Sequence, residues 1–278
     1  LLGLSDRPRL IVSRRWHEYS LSRLLSALNR GAQRHADLVT TNARALAPVL
    51  VREGVRSDHI AVLPNFLDDT VFLEDGLHVR EMIRRRLGIP SEALVVGCVA
   101  RLRPVKRVDL VVDAFAAVAP ARPEAHLLLV GDGPERERLA ARVAAANLCH
   151  RVTFAGELAH PPLPQHAFDV AMLTSDTEGL PNAVIEAAAC GVPTIATAVG
   201  GTPEAMSVGV SGLLVPPGDV SALASTMDRL LSNRSMREAM GVQGRQFARE
   251  TFGEQVVIDR LLALYGGQLR SGTGGQPT

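Results

Sequence analysis

The sequence predicts an α/β protein with parallel sheets, and two observations carry that prediction. Short apolar runs alternate with longer amphipathic runs along most of the 278 residues, which is the pattern of strand–helix–strand units in a parallel sheet. Some of the short runs are apolar almost throughout, such as L-V-V-G-C-V at residues 94–99. Strands of that kind are buried on both faces, so we expect helices to cover each side of a doubly wound sheet.

Residues 1–66 carry three short strand patterns separated by helical patterns. Strands are predicted at residues 10–13, 37–41 and 59–63, and helices at 20–35 and 44–52. Residues 66–77 are acidic and carry no hydrophobic period, so they are interpreted as a linker. Because three short strands cannot easily bury a core by themselves, we expect this piece to be the last part of a larger domain.

After the linker the alternation becomes clearer, and residues 67–265 are predicted to form one complete α/β domain. Predicted strands occupy 94–99, 126–130, 152–154, 170–173, 194–196 and 212–215, and predicted helices occupy 107–118, 135–146, 182–189, 220–231, 235–248 and 254–265. Residues 266–278 are rich in Gly, Ser, Gln and Pro. A tail of that composition has few apolar side chains to pack, and we expect it to be disordered.

Composition and charge exclude several classes of function. Basic and acidic residues nearly cancel, 30 against 29, so no broad basic field favours nucleic acid as a partner. No apolar run approaches the roughly 20 residues that span a bilayer, and no signal peptide is visible. The chain begins with Leu1 rather than Met, and we interpret it as lacking an upstream segment.

The three cysteines do not form a recognisable metal or disulfide pattern. Cys98, Cys149 and Cys190 are far apart in the sequence, and their spacing fits neither a zinc site nor a disulfide framework. Free cysteines are usually buried, so we expect all three to be buried small residues in a protein of the reducing cytoplasm.

The strongest functional pattern lies at residues 178–191, which read E-G-L-P-N-A-V-I-E-A-A-A-C-G. Glu178 precedes a predicted helix that contains Glu186. That helix begins with Pro181 in its first turn, or has Asn182 as its N-cap. The free N–H groups and positive dipole of a helix N-terminus suit a diphosphate or a sugar hydroxyl. The pattern therefore predicts a ligand site with two carboxylates.

Two further considerations bear on this site. Gly179 allows a ligand to approach the backbone closely, and ligands of parallel sheets bind at the carboxyl ends of strands, where this loop lies. The alternative is that Glu178 is a surface charge and Glu186 an ordinary acid of a first helical turn. The G-L-P-N between the two acids and the E-A-A-A-C-G that follows favour the ligand site.

A second constellation, R-L-R-P-V-K at residues 101–106, follows a predicted strand and opens a helix. Arg101 offers a planar fork and Lys106 a point charge, and together they can neutralise a diphosphate. Arg103 and Arg107 are interpreted as exposed. Taken alone, solvated side chains near a loop would be the simpler interpretation of all four.

Glycine-rich turns follow two other predicted strands. Gly131 and Gly133 lie in a sequence that resembles a phosphate loop but lacks the third glycine of the dinucleotide fingerprint, and we interpret them as a turn whose backbone lines a nucleotide pocket. The G-G-T-P-E at residues 200–204 either approaches a ligand or forms a structural turn. Near the start of the chain, the run from Arg14 to His17 could face a cleft, but a packed Trp16 flanked by surface charges is preferred.

Taken together and in order, these motifs resemble the retaining GT-B glycosyltransferases, specifically the group 1 family related to sucrose and glycogen synthases and bacterial mannosyltransferases. The resemblance runs through residues 62–65, 99–106, 129–133, 152–156, 169–175, 178–191, 200–204 and 212–215. It implies two Rossmann-like domains facing across a cleft. Residues 1–66 would be the C-terminal remnant of the acceptor-side domain, and 67–265 would be the domain that binds the nucleotide-sugar donor.

The resemblance also implies a role for each site residue. Arg101 and Lys106 would hold the donor diphosphate and Glu178 would contact the donor sugar, which makes these three the expected catalytic residues. Glu186 would bind the ribose hydroxyls. The remaining donor-binding residues would be Gly179, Leu180, Pro181 and Asn182, together with Gly131 and Gly133. No metal or cofactor is implied, because Arg, Lys and the helix N-terminus would neutralise the leaving diphosphate.

The expected activity is transfer of a sugar from a nucleotide-diphosphate donor to a glycan or lipid-linked acceptor, with retention of configuration. Front-side attack, assisted by the leaving phosphate, is the favoured mechanism, and both carboxylates serve binding rather than glycosidase chemistry. The expected setting is cell-envelope or exopolysaccharide synthesis in the cytoplasm, with contact to the inner face of the membrane. Two alternatives stay open: a sugar-nucleotide epimerase of GT-B fold, and a donor-binding module that needs a partner chain.

Overall fold

The computed structural model describes residues 9–15, 23–158 and 162–270, and these residues form two parallel sheets. The first sheet has the order β1-β2-β3, with β1 at Ile11–Arg14, β2 at Leu38–Thr41 and β3 at Ile60–Val62. Its helices are α1 at Arg23–His35 and α2 at Ala47–Arg52, the latter preceded by a 3₁₀ turn at Arg44–Leu46. A small core of Ala36, Val39, Leu50 and Val55 joins them.

The second sheet has six parallel strands in the order β6-β5-β4-β7-β8-β9. The strands are β4 Leu94–Val99, β5 Ala125–Val130, β6 Val152–Gly156, β7 Val170–Leu173, β8 Thr194–Thr197 and β9 Gly212–Val215. The chain therefore winds outward from β4 on one side and from β7 on the other. In such sheets the reversal of strand order opens a crevice at the carboxyl ends of the two central strands, so the fold itself places a site beyond β4 and β7.

Within the described residues, seven α-helices accompany the second sheet: α3 Gly76–Arg86, α4 Val108–Val118, α5 Arg136–Ala145, α6 Asn182–Ala189, α7 Val220–Ser232, α8 Arg234–Phe252 and α9 Glu254–Arg270. Alternate residues of strand β4 pack in different hydrophobic cores. Val96 and Cys98 pack in a core that includes α4 and α7, whereas Val95 packs in a core that includes Ile83 of α3. Both faces of the sheet are covered, so the predicted α/β fold class is confirmed.

Helix α3 is the main element that the sequence pattern did not predict. The predicted linker 66–77 contains a 3₁₀ turn at Asp69–Phe72, and α3 begins at its end, where the Asp75 carboxylate caps the N–H groups of Leu77 and His78. The helix packs partly through a charge, since Arg84 is only 3% exposed. Its guanidinium donates to three backbone carbonyls and to Asp169. Burial lowers the pKa of Arg84.

The two ends of the chain also differ from expectation. Helix α9 continues through Gly266 to Arg270, into the segment predicted to be a disordered tail, and residues 271–278 lie outside the described residues. Near the start, Arg14 is buried and pairs with Glu53 rather than lying on the surface. Trp16 lies outside the described residues, so its predicted packing remains a prediction.

The cysteines differ in exposure, which corrects the expectation that all three are buried. Cys98 is buried, Cys190 is partly buried and Cys149 is exposed. Burial raises the pKa of Cys98 to about 12 and raises that of Cys190 as well.

Because the thiolate is the reactive form, we expect a thiol reagent at pH 8 to modify Cys149 in the native protein. Cys98 and Cys190 should react only after denaturation, which peptide mass spectrometry would show; rapid native labelling of Cys98 would contradict the packing.

Candidate active site

A cleft of about 600 Å³ opens at the carboxyl ends of β4 and β7, where the strand order reverses. The second-sheet side of the cleft is formed by the loop after β4 and by the segment that leads into α6. The first-sheet side is formed by Arg15, Asn42 and Asn65. The cleft therefore lies between the two sheets, and its lining includes most of the residues that the sequence singled out.

A larger cleft of about 810 Å³ lies at the opposite, amino-terminal end of the second sheet. It is rich in charged groups, but these groups already satisfy one another. Arg80 and Arg84 both bind the Asp169 carboxylate at 2.8 Å, and His166 contacts Glu74 at 2.8 Å. The pairs of Arg80 and Arg84 with Asp169 hold α3 to the sheet, so these charges are already used and the smaller cleft is the better candidate site.

The centre of the candidate site is an ion pair between Lys106 and Glu178. The Lys106 Nζ donates to Glu178 Oε1 at 2.6 Å, and the Ser175 hydroxyl donates to the same oxygen at 2.6 Å. Glu178 is 7% exposed, so its charge depends on these partners. An ammonium group carries three donors, which leaves Lys106 able to bind a second anion while it keeps Glu178. Lys106 is also the only lysine in the sequence.

Arg101 stands beside this pair on the loop after β4. It is exposed, it borders the cleft, and it has no ion pair with any of the described residues. Its guanidinium is therefore available to an anionic ligand. The structure brings Arg101, Lys106 and Glu178 to one cleft, as the sequence predicted, although the pairing of Lys106 with Glu178 was not anticipated.

Gly131 and Gly133 support the Arg101 loop and are absent from the cleft lining. A Cβ built on Gly131, where φ is +121°, would lie 2.0 Å from the Ala100 carbonyl oxygen, and one on Gly133 would lie 2.5 Å from that of Leu102. The turn after β5 thus runs directly against the loop that carries Arg101. Direct contact of these glycines with a donor remains a prediction.

The start of α6 forms the floor of the cleft, where Gly179, Leu180, Pro181 and Asn182 all contribute to the lining. Pro181 is the N-cap and Asn182 the first helical residue, so Pro181 lies one position earlier than predicted and the alternative Asn182 cap is wrong. A Cβ on Gly179 would lie 2.4 Å from the carbonyl oxygen of Arg15. The small size of Gly179 is thus required for contact with the first sheet.

Glu186 lies one turn further into α6 and is absent from the cleft lining. Its carboxylate accepts a hydrogen bond of 2.6 Å from the Gln165 side chain, which is 1% exposed. The structure therefore does not place Glu186 beside Arg101 and Lys106. Its predicted contact with a ribose remains a prediction.

The first sheet contributes residues that sequence reasoning did not assign to the site. Asn65 donates to the Asn182 side chain at 2.6 Å and to the Leu180 carbonyl at 3.3 Å, which ties the segment after β3 to α6. Asn42, which directly follows β2, is 4% exposed and borders the cleft. The signal for both was their position at the carboxyl ends of parallel strands, where ligands bind.

In the part of the chain that the structure describes, no group of three or more His, Cys, Asp or Glu side chains could hold a metal ion. None of its helices is long and apolar enough to cross a membrane.

Comparisons with known proteins agree with the geometry. The chain is 29% identical to an N-acetyl-alpha-D-glucosaminyl L-malate synthase of Bacillus anthracis, covering 91% of this chain and 65% of that protein. It is 30% identical to a GDP-mannose-dependent phosphatidylinositol monomannoside mannosyltransferase of Mycolicibacterium smegmatis, covering 94% and 70% respectively. The chain thus spans about two thirds of the length of these curated relatives.

Solved structures share the fold. Anabaena Alr3699/HepE in complex with UDP-glucose superposes with a TM-score of 0.82 at 25% identity, over 92% of this chain and 72% of that one. Sucrose-phosphate synthase of Thermosynechococcus elongatus gives a TM-score of 0.79 at 28% identity, over 91% and 63%. Residues 79–247, more than half of the chain, match the family described as glycosyl transferases group 1. The chain therefore belongs to the group 1 glycosyl transferases.

Proposed function

We propose that this chain binds a nucleoside-diphosphate sugar in the 600 Å³ cleft and serves the donor side of a sugar transfer that retains anomeric configuration. The observation that carries the proposal is the pair of Lys106 with the buried Glu178, beside an available Arg101 and the N-terminus of α6. Two cationic side chains and the free N–H groups of a helix N-terminus together suit a diphosphate. Structures of Alr3699/HepE with UDP and with UDP-glucose support a donor of this class.

In this proposal each group has a distinct task. Arg101 and Lys106 bind the two phosphates, and the N–H groups at the start of α6 bind phosphate or sugar oxygens. Glu178, fixed by Lys106 and Ser175, accepts a hydroxyl of the donor sugar. Glu186 binds the ribose from the next turn of α6. Arg101, Lys106 and the helix end supply the positive charge that a leaving diphosphate needs, so we propose transfer without a metal or cofactor.

The proposed chemistry takes place on one face of the sugar. The bond between the anomeric carbon and the phosphate oxygen breaks, and the acceptor oxygen forms its bond to the same face of that carbon. The proton of the acceptor hydroxyl passes to a phosphate oxygen of the leaving nucleoside diphosphate. Charge therefore builds up on the diphosphate, where Arg101 and Lys106 lie, and this is where stabilisation has the largest effect on rate.

The acceptor side is proposed at the level of its class. A glycan or lipid-linked acceptor would enter from the first-sheet side of the cleft, past Arg15 and Asn65. We further propose a role in cell-envelope or exopolysaccharide synthesis, in the cytoplasm or at the inner face of the membrane. The relative from Mycolicibacterium smegmatis, which is named as a phosphatidylinositol monomannoside mannosyltransferase, supports such a setting.

The donor site can be tested by calorimetry with UDP-glucose and GDP-mannose in buffer that contains EDTA. We expect at least one of them to bind, and we expect Arg101→Ala to weaken that binding roughly 10- to 100-fold, because a charge-assisted contact to phosphate is lost. Glu186→Ala should weaken it as well.

Arg138→Ala is the matched control, since Arg138 is an exposed arginine of α5 that pairs with Glu135. Arg138 is absent from the cleft lining, so the affinity of this variant for the nucleotide sugar should stay within about twofold of the wild type. Unchanged affinity in both Arg101→Ala and Glu186→Ala would contradict the site. Epimerised sugar formed from donor without any acceptor would instead favour an epimerase.

A further inference from the structure

The G-G-T-P-E segment at residues 200–204 joins the two sheets through its last residue. Glu204 ends the 3₁₀ turn Thr202–Glu204 that follows β8. Its Oε2 accepts the backbone N–H of Arg44 at 2.7 Å and its Oε1 accepts that of Ala45 at 2.8 Å. These two N–H groups open the 3₁₀ turn at Arg44–Leu46 that leads into α2. One carboxylate thus bridges the second sheet to the first.

This bridge is strong for two reasons. The first N–H groups of a helical run have no partner within it, so Glu204 satisfies donors that would otherwise need water. The carboxylate also faces the positive end of that run, where charge-assisted bonds are roughly twice as strong as neutral ones. Because both oxygens are used, the direction of the carboxylate is fixed as well as its position.

The glycines of the same segment lie against the backbone of residues 178–179, and Gly201 also lies against Ala43 of the first-sheet side. A Cβ built on Gly201 would lie 2.1 Å from the Gly179 carbonyl oxygen and 2.6 Å from the Ala43 Cβ. The Gly201 N–H also approaches the Glu178 carbonyl at 3.4 Å. There is no space for a side chain between the segment that leads into α2 and the loop that holds Glu178. A shift of that segment is therefore transmitted to the loop.

Asn42 is the residue that this contact places at the site. It precedes Ala43, borders the cleft, and its Oδ1 would lie 3.3 Å from a Cβ on Gly179. Glu204 itself is absent from the cleft lining. Any effect of Glu204 on a ligand must therefore act through Asn42 and the loop at residues 178–179.

We propose that Glu204 is a positioning residue that fixes the first-sheet wall against residues 178–179 and thereby shapes the sugar end of the donor site. The nucleotide end of the proposed site depends on Arg101 and Lys106 of the loop after β4 and on Glu186 of α6. Glu204 should accordingly affect the sugar without affecting the nucleotide. The inference rests on the proposed donor site and adds a residue that determines how tightly the hexose is enclosed.

The test compares a nucleotide sugar with its own nucleotide. Affinities of wild type, Glu204→Ala and Glu204→Gln are measured by calorimetry for UDP-glucose and UDP, or for GDP-mannose and GDP if the wild type prefers guanosine. In Glu204→Ala we expect the nucleotide affinity to stay within about twofold and the nucleotide-sugar affinity to fall about tenfold, a typical effect of losing a charged hydrogen-bond partner. Glu204→Gln keeps one acceptor oxygen and should fall in between.

Two controls separate positioning from general damage. Hydrogen exchange of the Arg44 and Ala45 amides should accelerate in Glu204→Ala. The control Glu238→Ala, at an exposed residue of α8 that pairs with Arg234, should change neither exchange nor affinity. The inference would be overturned if the affinities for nucleotide sugar and for nucleotide fell equally, or if neither fell, even if the two amides lose their protection from exchange. If Glu204→Ala does not fold, the Gln variant gives the same comparison. A wild type that binds neither nucleotide sugar would contradict the proposed function itself.

Discussion

Replacement of Lys106 by methionine is expected to lower kcat/KM for sugar transfer by about 100- to 1000-fold, the range seen when one preorganised charge-stabilising donor is removed. Methionine fills much of the aliphatic volume of lysine but carries no charge, so the packing of the loop after β4 is largely kept. In the proposed mechanism, the ammonium group that is lost faces the leaving diphosphate as its charge develops. Steady-state kinetics with the preferred nucleotide sugar measure the effect.

The same change should also destabilise the fold. Of the two donors described above for the Glu178 carboxylate, Lys106 and Ser175, only the Ser175 hydroxyl would remain. Breaking a buried ion pair costs about 3–5 kcal/mol. Since a fifth of the Lys106 side chain is exposed, we expect the lower end of that range. Thermal unfolding of the variant would show the loss directly.

A double variant separates the two consequences. Lys106→Met with Glu178→Gln removes the uncompensated charge, so the thermal stability should recover while transfer stays low. Arg107→Met is the matched control, since this neighbouring cation pairs with Asp109 and Asp176. Its activity should fall only a few-fold. Recovery of transfer in the double variant would contradict the proposed role of the ammonium group.

Replacement of Gly200 by alanine is expected to lower the free energy of unfolding more than the other substitutions described. Gly200 has a φ of +51°, and a Cβ built on it would lie 1.9 Å from the Glu178 carbonyl oxygen. The left-handed conformation alone costs an alanine about 1–2 kcal/mol, and a clash with backbone cannot be relieved by rotating a side chain. Together with overpacking of about 1–3 kcal/mol, a loss of roughly 3 kcal/mol or more follows.

Gly209→Ala is the control that isolates the contact. Gly209 has a φ of +79° and no heavy atom within 4 Å of its built Cβ, so alanine there meets only the conformational cost. At about 2–4 °C per kcal/mol for a chain of this size, Gly200→Ala should melt several degrees below Gly209→Ala. Donor affinity should fall only in Gly200→Ala, because Glu178 is displaced. Equal melting temperatures would contradict the contact.

The sequence predicted the strands of the second sheet well, for a clear physical reason. Strands β4, β7 and β9 have the predicted bounds because each is a run of mainly apolar residues that ends at a turn. Helix α3 was missed because its last turn is Arg84, Arg85 and Arg86, and its buried face includes one of those arginines. A hydrophobic period cannot reveal a helix that packs through a guanidinium.

The candidate site, too, has residues that local sequence patterns predicted and a contact that they could not predict. Arg101, Lys106 and Glu178 were found because each lies in a short motif at the end of a strand. The bond from Glu204 to Arg44 joins residues 160 positions apart, and no local pattern contains it. The G-G-T-P-E segment was left open between a ligand loop and a structural turn. Both of its glycines lie against the backbone of residues 178–179, which favours the structural turn.

The solitary lysine gives the proposed site a practical property. The chain has 29 arginines but only Lys106 carries a side-chain amine. Protein made with isotope-labelled lysine would therefore give one side-chain signal in a magnetic resonance spectrum, without any assignment step. That signal comes from the atom held at 2.6 Å from Glu178. It would serve as a built-in reporter that follows occupancy of the cleft as each candidate donor is titrated.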